Sequence, residues 1–255
     1  MCIRDRDIEE KKIKITDQGF FDVFIPLSMI FGFTEDYRKI IVNVKHELIL
    51  RRSNTDVNAI LSKSYKSGDP EVDTWENWKI EISKIEWMMP YVFLSPENKI
   101  RMLKILQKGK PVRISFRSWQ LIENPTLPSS PKINWLLLTS NQLEKPRHVI
   151  LGLQTNRKNQ KDKNASQFDH CNIRNAKLFL NSQYYPYNNL NLNIDQNEYA
   201  ILYDMYVNFQ TSYYGKEPEP ILSKDNFIKK VPLIVLDCSK PVSYTHLTLP
   251  TIYSV

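Results

Sequence analysis

The sequence predicts a mainly β protein, an antiparallel β-sandwich carrying two short helices. Hydrophobic and polar residues alternate along many short segments, as half-buried strands require. About ten such segments are separated by clusters of Pro, Asn and Ser, which is the spacing of a sandwich. The 255-residue chain is 42% hydrophobic and 25% charged, close to an ordinary globular composition. With 6 Gly against 15 Pro it carries neither GxGxxG nor GxxxxGKS/T, which excludes a glycine-rich phosphate loop. No run of eighteen apolar residues occurs, which argues against a transmembrane helix. Three Cys in a chain this long do not make a disulfide scaffold.

Both ends resemble something other than coding sequence. Met1-Cys2-Ile3-Arg4-Asp5-Arg6 is similar to one translated strand of a sequencing adaptor, and Val242 to Thr251 to its opposite strand. Segments 1–6 and 242–255 are therefore set aside as adaptor, as fusion scars are. That leaves 7–241 as the expected protein, with Cys171 and Cys238 its cysteines. The other reading of the tail is a native edge strand alternating Tyr244, His246 and Thr248.

In chain order, strands are expected at 12–16 and 20–25. Next, Val42, Val44, His46, Leu48 and Leu50 share one face of a strand. Trp78, Ile80 and Ile82 alternate in the same way, and a phase slip near Ser83-Lys84 suggests a bulge before Ile85 and Trp87. A strand at 91–94 leads to Ser95-Pro96-Glu97, an N-cap with Pro at the first helical position. Ile100, Leu103 and Leu106 continue that helix, and Gly109 can end it. Val112, Ile114 and Phe116 alternate with Arg113, Ser115 and Arg117. Further strands are expected at 132–139, 147–154, 175–181 and 231–237. A second helix is expected from Asp195, with Glu198 completing a capping-box-like pair and Gly215 closing it. Tyr199, Leu202, Tyr203, Tyr206, Phe209 and Tyr213 form its stripe. A Tyr stripe reads as core or subunit interface rather than as a ligand box, since Tyr joins apolar area to a hydroxyl.

Few constellations point to chemistry. His170 and Cys171 are sequence neighbours, whereas a Cys-His dyad needs the imidazole brought to the sulfur from elsewhere in the fold. Asp169, His170 and Cys171 lack a second ligand pair at zinc spacing, and Cys238 stands alone. His46, on an apolar strand face, reads as a hydrogen-bonded core histidine. Glu217-Pro218-Glu219-Pro220 reads as a solvated or interface-clamping loop rather than an acid–base pair. Polar loops span 63–74 and 154–174. The second carries Arg157, Lys158, Lys161, Lys163 and Arg174, but only Phe168 could stack on a base. No catalytic, cofactor-binding or metal-binding residue is assigned, and the protein is expected not to be an enzyme.

Several runs together resemble the double jelly-roll family, the major capsid protein-like proteins of DNA viruses and virus-like transposons, often integrated in arthropod genomes. The runs are Gly19-Phe20-Phe21 with Ile25-Pro26-Leu27, Lys45 to Leu50, Phe116-Arg117-Ser118-Trp119, Gln142 to Arg147, Thr155 to Asn159 and Phe168 to Cys171. Leu180 to Tyr187, Tyr203 to Tyr206, Tyr213-Tyr214-Gly215 and Asp237 to Lys240 complete the set. The resemblance implies a double jelly roll truncated at both ends. Residues 7–95 would be the C-terminal part of the first roll, and 96–241 a linker helix with most of the second. It implies a homotrimeric structural protein of a capsid lattice, in a virion or a host-cell interior, with no cofactor and no membrane partner. Tyr184, Tyr185, Tyr187, Tyr206 and Tyr213 are the candidate subunit interface. Arg157, Lys158, Lys161 and Lys163 are candidates for weak contact with packaged nucleic acid. The alternative expectation is a domesticated β-sandwich binding module for glycan or nucleic acid.

Overall fold

The computed structural model describes residues 19–42, 44–59, 79–109, 111, 113–128, 130–137, 146–160, 163–180 and 182–239, together with the backbone of 251–254. The strand expected at 12–16, Trp78, the loop 63–74 and Lys161 lie outside these residues. The chain divides into two compact units, one of residues 1–49 and 85–121 and the other of 50–84 and 122–255. Residues on both sides of the expected 95/96 boundary therefore lie together in the first unit.

In the first unit, α1 (Gly32–Asp36) follows a 3-10 turn at Leu27–Met29, and α2 spans Pro96–Gln107. The reading of α2 from its cap holds: Ser95 Oγ accepts the Asn98 N–H at 3.5 Å, Pro96 opens the helix, and Gly109 follows it at φ +62°. The packing around α1 gives Phe116-Arg117 a physical meaning. Phe33 stacks on Tyr37 at 5.5 Å and meets the edge of Phe116 at 5.3 Å. Arg117 donates its backbone N–H to Asp36 Oδ2 at 2.8 Å and its Nε to the same oxygen at 2.9 Å, and its second terminal nitrogen reaches Oδ1. These bonds hold the Asp36 carboxyl below its usual range. Gly32 is what lets the Arg117 carbonyl approach: a Cβ there would lie 1.8 Å from that oxygen. We expect Gly32→Ala to cost on the order of 1–2 kcal/mol by forcing α1 off this segment. A loss of far-UV helical signal on mild heating, absent in the parent chain, would check it.

The strands expected at 20–25, 42–50, 79–87, 91–94 and 113–117 do not form ladders among the described residues. These segments run extended, with Phe24 79% and Phe93 95% exposed. A strand exists only with a partner edge, and alternation specifies a face without supplying that edge. His46 also departs from expectation: its Nε2 is buried with no hydrogen-bond partner among the described residues.

Among the described residues the second unit holds two small sheets. One is ordered β1 (Ile133–Leu136), β6 (Thr251–Ser254), β3 (Ala176–Leu180), β4 (Gln183–Tyr185), every neighbour antiparallel. The other pairs β2 (His148–Leu151) with β5 (Ile234–Asp237). β1, β2, β3 and β5 fall inside strands expected from the alternation. β6 comes from the segment set aside as adaptor; its backbone lies between β1 and β3, a role any extended chain can fill because ladder bonds are made by backbone. α3 (Ala200–Tyr214) packs on β5, and α4 (Lys224–Lys230) follows it. The core gathers Ala176, Leu178 and Leu180 from β3, Leu202 from α3, Phe227 and Ile228 from α4, and Ile234 and Leu236 from β5.

"Mainly β" with two short helices is thus not the description of these residues, which form four α-helices and six strands of three to five residues. α4 was not expected, although its signals are local. Ser223 Oγ accepts the Asn226 N–H at 3.4 Å, Asp225 sits in the first turn, and Lys229 and Lys230 in the last. α3 starts at Ala200 and not at Asp195. Asn193 and Glu198 exchange backbone hydrogen bonds of 3.1 and 2.8 Å across a 3-10 turn, and Asn197 ends that turn at φ +59°. Tyr199, 3% exposed with Lys224 Nζ 4.7 Å from its ring centroid, then anchors the helix start in the core. Tertiary burial overrides the capping box.

Candidate functional site

The alternation of β4 separates its two tyrosines. Tyr185 pairs with Leu178 and faces the core, while Tyr184 pairs with Phe179 and shares its outer face, ring centroids 4.9 Å apart. Burial raises the Tyr185 hydroxyl pKa, and the neighbouring Asp237 charge adds to this. The Tyr185–Pro186 peptide bond is cis, and Tyr187 beyond it is 69% exposed. Tyr206 and Tyr213 pack within their own chain. Tyr206 stacks on Phe227 at 4.8 Å, and Tyr213, buried, stacks on Phe209 at 5.0 Å. A helical stripe is the same pattern whether it meets its own chain or another, and here it meets its own chain. Of the five candidates, Tyr184 and Tyr187 offer open aromatic surface.

The basic loop is built around a buttress. Arg157 Nε donates to Asp169 Oδ2 at 2.8 Å and its second terminal nitrogen to Oδ1 at 2.6 Å. Asp169 Oδ2 also accepts the Thr155 N–H at 2.7 Å. The Arg157 hydrogen bonds, foremost, hold the Asp169 carboxyl down at about 2. Gln154 Nε2 reaches the Ala165 and Gln167 carbonyls at 2.8 and 2.9 Å, closing the loop base. Arg157 is thereby committed within the chain rather than presented to phosphate. Lys158, whose side chain is 69% exposed, sits 3.4 Å from Glu123 Oε2. Lys163 is half-buried.

Cys171 is exposed at φ +47°, with its sulfur 3.6 Å from Thr155 Oγ1. The neighbouring His170 turns its Nδ1 to accept the Asn172 N–H at 3.2 Å. Cys238 is buried, and desolvation pushes its thiol up to about 12. A Ser-His-Asp group that the sequence reading missed lies inside the second unit. His148 Nε2 is 2.9 Å from Ser212 Oγ and 3.9 Å from Asp237 Oδ1. Both oxygens meet the same nitrogen, whereas a catalytic relay needs serine and carboxylate on opposite nitrogens. The imidazole side chain is 2% exposed and packs edge-on against Phe209 at 5.2 Å, so the group ties α3 to β2 and β5. Among the described residues no three His, Cys, Asp or Glu are placed to hold a metal ion, and no helix is long and apolar enough to cross a membrane.

Comparison with known proteins ties these elements to a family. Searches of the curated proteins and of the solved structures find no match. A family model described as the double jelly roll-like domain does match, over residues 6–248. That fold family is of the capsid type and fits a β-sandwich. Since the match takes in nearly the whole chain, the protein belongs to the double jelly roll-like domain family.

Proposed function

We propose that the protein is a structural, non-catalytic subunit that associates as trimers to build a viral or virus-derived shell. The family match over 6–248 carries this reading. Two surface features support it. Tyr184 and Tyr187 are 42% and 69% exposed beside one sheet edge, and rigid aromatic area of this kind is what interfaces bury. In the first unit Phe24, Met29, Tyr91 and Phe93 are largely exposed, more apolar surface than an isolated unit ordinarily leaves in water. Symmetric copies covering such surface repeat one contact into a closed assembly.

Light scattering of the expressed chain coupled to size exclusion tests the reading, with electron microscopy of the same fractions. Trimers or shells are expected; monomers at every concentration would overturn it and favour the binding-module alternative. Tyr184→Ala with Tyr187→Ala should weaken the trimer at least tenfold, the effect of losing one or two interface anchors. Tyr185 is left intact, because it packs on the core and its loss would unfold the edge.

A further inference from the structure

Segment 189–193 alternates Asn and Leu, and Leu190 and Leu192 are buried in the core. Asn189 and Asn191 are exposed on the other side. β3 follows the same rule, with Ala176 and Leu178 inward and Lys177 between them on the outer face. Asn175 joins the two segments: its Oδ1 accepts the Leu190 N–H at 3.0 Å and its Nδ2 donates to Asn189 Oδ1 at 3.1 Å. The Leu192 N–H adds a 2.8 Å bond to the Arg174 carbonyl. Above this seam lies an open cleft of about 740 Å³, lined by Lys132, Arg174, Lys177, Tyr184, Asn191 and Glu198 among others. Lys177 Nζ donates to the Tyr187 carbonyl at 3.1 Å. The Arg174 guanidinium, the Asn191 amide and the Glu198 carboxylate have no side-chain hydrogen-bond or ion-pair partner among the described residues.

We propose that this cleft binds an acidic saccharide, an oligosaccharide bearing a carboxylate or a sulfate. Three cations against one carboxylate favour an anionic ligand. The Arg174 fork suits the planar oxygens of an acid group. Side-chain amides and the Glu198 carboxylate supply the donors and acceptors that neighbouring sugar hydroxyls need. The half-exposed Tyr184 ring offers an apolar face for a sugar ring. Single-stranded nucleic acid fits less well. It asks for a basic track with successive aromatic platforms, and this lining has one ring and a carboxylate among its cations. The site rests on the cations and amides of its lining and not on the shell reading; Tyr184 serves it only where a subunit contact leaves that ring open.

Titration calorimetry on the full chain, with 3′-sialyllactose, a heparin tetrasaccharide, neutral lactose and a twelve-residue oligothymidylate, tests the assignment. We expect one of the acidic saccharides to bind, lactose to bind at least tenfold more weakly, and Arg174→Ala and Asn191→Gly each to weaken the acidic ligand at least tenfold. Gly is chosen at 191 because Asn191 sits at φ +47°. Should Arg174→Ala fail to fold, Lys132→Ala carries the same test from the segment before β1. The bound probe, sialyl or sulfated, identifies the acid group. Binding by neither saccharide, binding indifferent to these substitutions, or tighter binding of the oligothymidylate overturns the proposal. Tyr184 borders both this cleft and the proposed subunit contact, so the cleft variants spare it.

Discussion

Phe227→Ala is expected to destabilise the second unit by about 3–5 kcal/mol, read as a large fall in the urea unfolding midpoint. The phenyl ring is fully buried. It stacks on Tyr206 at 4.8 Å and meets Tyr203 edge-on at 5.6 Å, and Tyr203 is itself held by a 2.9 Å hydrogen bond from its hydroxyl to the Leu222 carbonyl. Removing the ring forfeits its transfer energy and leaves a cavity that two tyrosines pinned on α3 cannot refill. A double-mutant cycle with Tyr206→Leu should return about 0.5–1.5 kcal/mol of coupling, the part owed to ring stacking. Lys229→Ala, exposed in the last turn of the same helix, should stay within about 0.5 kcal/mol of the parent. A Phe227→Ala chain as stable as the parent would mean that α4 does not dock where this core requires it.

The importance of α4 shows what sequence could and could not reveal. α2 was legible because its signal is local: Ser95, Pro96 and Gly109 each act on the residues beside them. α4 has an equally local cap in Ser223 and charges that suit its ends, but seven residues with two apolar positions give too short a stripe to stand out. The strands around β1, β2, β3 and β5 were legible because their inward residues do meet a core. The same alternation at 20–25 or 91–94 meets no ladder partner among the described residues, and period two cannot report whether an edge is present. The tyrosine stripe was ambiguous for a related reason: core and interface ask for the same face, and only packing tells that Tyr206 and Tyr213 are used internally. The cleft was missed altogether, because its residues come from three separated segments. The Asn–Leu alternation at 189–193 was its one visible trace.

Acid is expected to loosen the 154–174 loop before it unfolds the rest of the second unit. The folded Asp169 carboxyl is depressed from 3.8 to about 2. A depressed carboxylate contributes its full stability above the unfolded value near 4 and loses it as pH falls from about 4 through 2. The shift is worth roughly 2 kcal/mol in full, and solvent reaching this part-exposed pair screens that to about 1 kcal/mol. Proteolysis at the loop should therefore accelerate below pH 4 while the signal from the α3 aromatics holds. Arg157→Ala should cost more than acid does, about 2–3 kcal/mol, because it removes the fork and leaves a half-buried carboxylate with the Thr155 N–H and hydroxyl but no counter-charge. It should also abolish the acid step, since the Asp169 pKa would return toward its ordinary value. Arg157→Lys should recover the charge without the two-pronged geometry, and so only part of the stability. An acid step that persists unchanged in Arg157→Ala would show that another carboxylate controls the loop.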